Sequence, residues 1–155
     1  MSHHRARIRK DLVAKGVFIA LDWGEKKIGL AVGQSLTGTA RGLAVIRAKQ
    51  GVPDWQEIKK WLSKYQPEGL VLGLPLLLDG KEQPLTERVR EFAELLVARI
   101  NLPLYWVEEQ LSSAEAEERC DNPAMLDAEA AAVILETWLS LNEQQKQSSR
   151  HSTLS

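Results

Sequence analysis

The chain has 155 residues, 44% apolar and 26% charged, which is the composition of a globular protein and the length of one domain with one core. Twenty lysines and arginines face 21 aspartates and glutamates, a net charge of −1, so any surface for a polyanion is local. One cysteine, Cys120, excludes an internal disulfide and a four-thiolate zinc site, and it suits a reducing compartment, the cytoplasm.

Residues 1–16 carry Arg5, Arg7, Arg9, Lys10 and Lys15 against Asp11 and no apolar stripe, which reads as a flexible basic arm. The apolar run Val17–Leu21 stops at Asp22, too short for the roughly 7–15 residues of a signal core. No stretch reaches the ~20 apolar residues that span a bilayer, so a soluble protein with no membrane partner is expected. Val17–Leu21, Ile28–Val32 and Ala40–Ile46 predict three successive strands in an antiparallel meander. Asp54 and Glu57 make a capping box, and Trp55, Ile58, Trp61, Leu62 and Tyr65 repeat at helical spacing up to Gln66-Pro67. Gly69–Leu74 predicts a buried strand that Pro75 ends. Leu85, Val89, Phe92, Leu96 and Ile100 then mark a helix, and Leu104–Val107 a fifth strand. Ser112 and Glu115 open a helix to about Arg119, and Ala131, Ile134, Trp138 and Leu141 define a last one from Asp127.

The order β-β-β-α-β-α-β-α-α, with crossovers long enough for parallel pairing, implies an α/β fold: a mixed five-stranded sheet with helices on both faces. The folded domain spans 17–142. The Ser/Gln-rich segment 143–155 is expected to be a disordered polar tail.

All three histidines, His3, His4 and His151, lie in the terminal segments, so no imidazole is anchored for a Ser-His-Asp or Cys-His nucleophile or a histidine zinc site. Chemistry in the core falls to carboxylates, lysines, arginines, hydroxyls or a metal held by oxygen. Asp22 follows the first strand, at the edge where open α/β sheets bind ligands; Asp22-Trp23-Gly24 also reads as a plain turn. Glu108 and Glu109 follow the last strand, and strand alternation sends them to opposite faces. Asp127 shares the apolar helix face of Ala131, Ile134 and Trp138, although an acid there also serves as an N-cap. Three converging acids repel unless cations neutralise them, and oxygen donors alone select Mg²⁺ or Mn²⁺. Two such ions about 4 Å apart would support phosphodiester cleavage. Charge segregation fits a nucleic-acid substrate: residues 26–64 hold eight basic residues against Asp54 and Glu57, whereas 108–136 hold nine acids against Arg119.

Ile19–Gly33 (IALDWGEKKIGLAVG), Thr39–Arg41 (TAR), Gly73–Gly80 (GLPLLLDG), Glu108–Ser113 (EEQLSS) and Asp127–Glu136 (DAEAAAVILE) together resemble the YqgF family over Phe18–Leu141. The resemblance implies an RNase H-like fold related to Holliday-junction resolvases, and a bacterial cytoplasmic nuclease that matures the 5′ end of precursor 16S ribosomal RNA. It implies Asp22, Glu109 and Asp127 as the catalytic, metal-holding acids, with Glu109 preferred to Glu108. Lys26, Lys27 and Arg41 are the expected phosphate contacts, and Gly24 would admit the substrate backbone. Nucleic acid, precursor rRNA or branched DNA, and ribosomal particles are the expected partners. Gln110 stands where the family usually has arginine, and Leu77 where it commonly has asparagine. Those two departures support an alternative, a non-catalytic nucleic-acid or ribosome-assembly factor; a DNA resolvase is another. An actin-like ATPase would need a second domain, for which the chain is too short.

Overall fold

The computed structural model describes residues 16–110 and 122–154. β1 (Val17–Asp22), β2 (Lys27–Gln34) and β3 (Thr39–Lys49) form the antiparallel meander that the three apolar runs predict. β3 then reverses at Gln50-Gly51, which have φ of 52° and 82°. The chain continues into a two-residue strand, β4 (Val52–Pro53), paired with Ala48 and Lys49. This strand corrects the expected count from five to six. Gly51 adopts the left-handed conformation freely, but glutamine before it is not the Asn or Asp that flags such a turn in sequence.

α1 (Trp55–Tyr65) starts where Asp54 accepts a hydrogen bond from the Gln56 N–H at 3.0 Å. β5 (Gly69–Leu76), α2 (Pro84–Arg99) and β6 (Leu104–Gln110) follow, giving a sheet of order β4-β3-β2-β1-β5-β6. β1, β5 and β6 are parallel. β5 runs through Pro75, where the sequence predicts its end; past Leu72 it pairs with β6 alone, and a strand with one open side tolerates proline. The buried Thr86 hydroxyl accepts from Gln83 N–H and donates to the Pro75 carbonyl, tying the start of α2 to the end of β5.

Strand alternation divides the core into two layers. On one face Ile19, Leu21, Leu30 and Leu72 pack with Ile58 of α1 and Val89, Phe92 and Leu96 of α2. On the other, Phe18, Ala20, Val71, Tyr105 and Val107 pack with Ile134, Leu135 and Trp138 of α3 (Leu126–Leu154). Burying each of the larger side chains contributes roughly 1.5–3 kcal/mol. A 3-10 turn, Pro123–Met125, leads into α3 and is capped by Asn122, whose side chain accepts from the Ala124 N–H at 3.1 Å. The helix continues to Leu154, into the segment 143–155. No glycine or proline occurs between 126 and 154, and Glu, Gln, Lys and Arg propagate a helix already nucleated on the sheet. The basic arm, Gly16 apart, and the helix expected from Ser112 to about Arg119 lie outside the described residues.

Small residues let α3 approach the sheet. Ala31 of β2 packs against Ala131 and Ala132, and a Cβ at Gly29 would overlap the carbonyl oxygen of Asp127. The first turn of α3 therefore rests directly on β2.

Candidate active site

Asp22 ends β1, the strand that joins the antiparallel and parallel halves of the sheet. Its side chain shares the face of Phe18 and Ala20, and so points toward α3. Glycine flanks it on both neighbouring strands. Gly29 of β2 is its register partner. On the other side Leu21 pairs with Leu72, which places Gly73 of β5 beside Asp22.

Each bare position admits an acid. Over Gly29 lies the Asp127 backbone, and over Gly73 lies the Glu109 carboxylate, whose Oε1 would stand 2.9 Å from a Cβ there. Glu109 shares its face with Tyr105 and Val107, which pack under α3, whereas Glu108 is exposed on the other side of the strand. Alternation thus settles which of the two glutamates accompanies Asp22. Asp127 lies inside the first turn of α3, one residue past its start, while capping of the preceding turn falls to Asn122.

Asp22 senses both of the other acids. Asp22 is pushed from an ordinary 3.8 up to about 8, first by burial and then by the charges of Glu109 and Asp127. Burial alone raises Glu109 from 4.5 to about 7. Carboxylates crowded in this way favour a proton or a cation between them. As arranged, no group of three His, Cys, Asp or Glu side chains among the described residues forms a cage for one ion. Mg²⁺ and Mn²⁺ need less: one or two carboxylates suffice when water and substrate phosphate complete the shell. The donor set fits ions held by pairs of acids across Asp22, rather than a closed three-ligand cup.

Among the expected phosphate contacts, Lys26 and Lys27 are exposed where β1 turns into β2, at the Asp22 end of the sheet. Arg41 is elsewhere. It pairs with Val32, which packs on the α1–α2 side, and its Nη2 donates to the Tyr65 hydroxyl at 2.9 Å. A different arginine replaces it near the acids. Lys27 stands directly opposite Arg47 of β3, both exposed, on the strand face of Gly29. Two like charges in direct cross-strand register repel, which favours an anion between them. Sequence spacing misses this pair because a bulge at Leu30/Ala31 shifts the β2–β3 register by one residue. Without the bulge, Ile46 would face Lys27.

Trp23 is buried in the α1–α2 layer, its indole N–H donating to the Gly51 carbonyl at 3.0 Å, so it is a core residue and not a platform for a base. At Gly24 a Cβ would stand 2.6 Å from the Lys27 carbonyl oxygen, so the turn itself demands glycine. No helix among the described residues is long and apolar enough to cross a membrane.

A mixed sheet covered on both faces, with its parallel half joined to an antiparallel meander at the central strand, is the RNase H-like fold. Residues 16–141 match the family model described as RuvX: Holliday junction resolvase, and the chain belongs to that family. A protein of Hydrogenovibrio crunogenus named "Putative pre-16S rRNA nuclease" is 45% identical over 128 residues, covering 81% of this chain and 94% of that one. A Pectobacterium atrosepticum protein of the same name is 46% identical over 128 residues, covering 77% and 92%. Among solved structures, T. thermophilus RuvC in complex with Holliday junction substrate superposes with a TM-score of 0.51 at 18% identity, covering 84% of this chain and 97% of that one. That likeness speaks for the fold.

Proposed function

We propose that the chain is a nuclease that hydrolyses phosphodiester bonds in structured nucleic acid with Mg²⁺ or Mn²⁺, and that precursor 16S rRNA, at its 5′ end, is the substrate. The observation that carries this reading is the electrostatic coupling of Asp22 to Glu109 and Asp127 beside two glycine gaps, which makes an anionic site built for cations. The names of the curated relatives supply the rRNA substrate. In this reading Asp22 is shared between two carboxylate pairs, with Glu109 on one side and Asp127 on the other. A divalent ion bound there would lower the pKa of its water toward neutrality and stabilise the charge that develops on the phosphate. An ion bound there would displace the proton that burial and the neighbouring charges favour on Asp22. Lys27 and Arg47 would hold the phosphates of the approaching strand, and Lys26 would add charge at the rim. The bacterial cytoplasm, where rRNA is matured, is the compartment this function requires, and ribosomal particles are its natural partners.

The test is cleavage of precursor 16S rRNA and of a four-way DNA junction in parallel, with Mg²⁺ and with EDTA, by wild type, Asp22→Asn, Glu109→Gln and Asp127→Asn. We expect metal-dependent cleavage of the RNA that each substitution reduces by at least about a hundredfold. Preference for the junction would move the substrate to branched DNA. Folded variants that cleave at the wild-type rate would refute the site.

A further inference from the structure

A second cluster of cations lies on the opposite side of the sheet, on α1, and it surrounds aromatic rings instead of carboxylates. Trp61 and Tyr65, one turn apart, stack with centroids 6.3 Å apart and planes within 15°. Lys64 Nζ stands 5.4 Å from the Trp61 centroid and 5.5 Å from that of Tyr65, and Lys60 Nζ 5.5 Å from Trp61. The Arg41 guanidinium lies 5.9 Å from the Tyr65 centroid. Among the described residues, no carboxylate pairs with Arg41, Lys60 or Lys64, all of which are exposed. Three cations held by ring faces, and in the case of Arg41 also by the Tyr65 hydroxyl, are available to phosphates, and rings released by those cations are available to bases.

A cavity of about 370 Å³, lined by Val17, Gln34, Thr39, Arg41 and Tyr65 among others, opens beside this cluster. That volume suits one nucleotide-sized ligand. Its place matters as much as its size. Val17 begins β1 and Asp22 ends it, so the cavity and the acids sit at opposite ends of the strand, about 17 Å apart at ~3.3 Å per residue. β4 pairs with β3 only at Ala48 and Lys49, which among the described residues leaves Thr39–Arg47 as the open edge of the sheet, with Arg41 toward one end and Arg47 at the other. A strand of about five stacked nucleotides, at ~3.4 Å each, covers the distance from the cavity to the acids.

We propose that the Arg41–Tyr65–Lys64 cluster is a second nucleic-acid site, which holds a single-stranded RNA segment several nucleotides away from the phosphate at the acids by stacking a base on Tyr65 and pairing its phosphates with Arg41, Lys60 and Lys64. The site deepens the nuclease reading by adding an anchor for the strand flanking the cut, yet its binding needs neither metal nor cleavage.

The experiment is fluorescence anisotropy of a labelled single-stranded RNA octamer in EDTA, with wild type, Arg41→Ala, Lys64→Ala, Tyr65→Leu, Tyr65→Phe and, as a charge control away from the cluster, Lys81→Ala. Tyr65→Leu should weaken binding between about fivefold and a hundredfold, the range for one lost base–aromatic stack, and Tyr65→Phe should retain most of it. Arg41→Ala and Lys64→Ala, both on exposed side chains, should each weaken binding and reduce its salt dependence, while Lys81→Ala binds as wild type does. Wild-type binding by Arg41→Ala and Lys64→Ala overturns the proposal, as does equal affinity for a duplex of the same length, because a duplex offers phosphates without free base faces. Loss of binding in these variants together with unimpaired cleavage by Asp22→Asn would retain this site and refute the nuclease site instead.

Discussion

Asp22→Asn is expected to stabilise the folded chain above neutral pH, the reverse of what most substitutions of a partly buried polar group do. In the fold the carboxyl ionises at about 8, against an ordinary 3.8. Because the folded value is the higher one, the folded state binds the proton more tightly. Its stabilisation is complete below about 3.8 and is lost as the pH rises through about 8. At about 1.36 kcal/mol per tenfold change in proton affinity, the loss approaches roughly 6 kcal/mol at alkaline pH, less whatever the site recovers by admitting water. Asparagine has nearly the same shape and no charge to bury. Urea unfolding of both proteins in EDTA, from about pH 4.5 to about pH 9, should therefore give curves that diverge with pH, the variant gaining several kcal/mol on wild type at the alkaline end. Adding Mg²⁺ or Mn²⁺ at pH 8 should recover stability in wild type alone, by about 1.4 kcal/mol at ten times the dissociation constant. Parallel pH curves for the two proteins would refute the claim that the fold buries this charge among other acids.

Three other predictions probe the neighbours of Asp22. Glu109→Gln should reduce cleavage by at least about a hundredfold while Glu108→Gln stays within about twofold of wild type; equal losses would contradict the assignment of the two glutamates to opposite faces. In Gly29→Ala, the new methyl overlaps the Asp127 carbonyl, so α3 must lift from β2 at a cost of about 1–3 kcal/mol. Urea midpoints should fall and cleavage should fall further, and an unshifted midpoint would mean that the helix does not rest on that strand. Lys27→Ala and Arg47→Ala should each lower the slope of log affinity against log salt by about one, with kcat on bound substrate unchanged. A collapse in kcat with an intact slope would place those residues in the chemistry instead.

Much of the site is legible in the sequence because its acids interrupt hydrophobic patterns. Asp22 stops an apolar strand, and Asp127 sits on the buried stripe of a helix, positions where a charge is costly unless it is used. Glu109 is half legible: periodicity shows that one of two adjacent glutamates faces the core layer, and only the packing of Tyr105 and Val107 under α3 says which. The cationic side of the site is less visible. Arg47 reaches Lys27 through a bulge, and Arg41 is carried to the far face by the same register, so two arginines exchange the roles that distance along the chain suggests. The fold shows the same division. Its strands and the faces of its helices follow from periodicity, whereas β4 depends on two left-handed residues that include an uncharacteristic glutamine. The extension of the last helix to Leu154 depends on propensity carrying a segment with no apolar stripe of its own.

The paired glycines beside Asp22 also bear on how this family can diversify. Gly29 and Gly73 are already occupied in effect, one by a helix backbone and the other by Glu109 and Ile134. Adaptation to new substrates has no room on that floor: a mutation there must first move a whole helix or the Glu109 carboxylate. Innovation is thereby channelled to the rim, the turn before β2 and the open margin of β3, where side chains can be exchanged without disturbing the acids beneath.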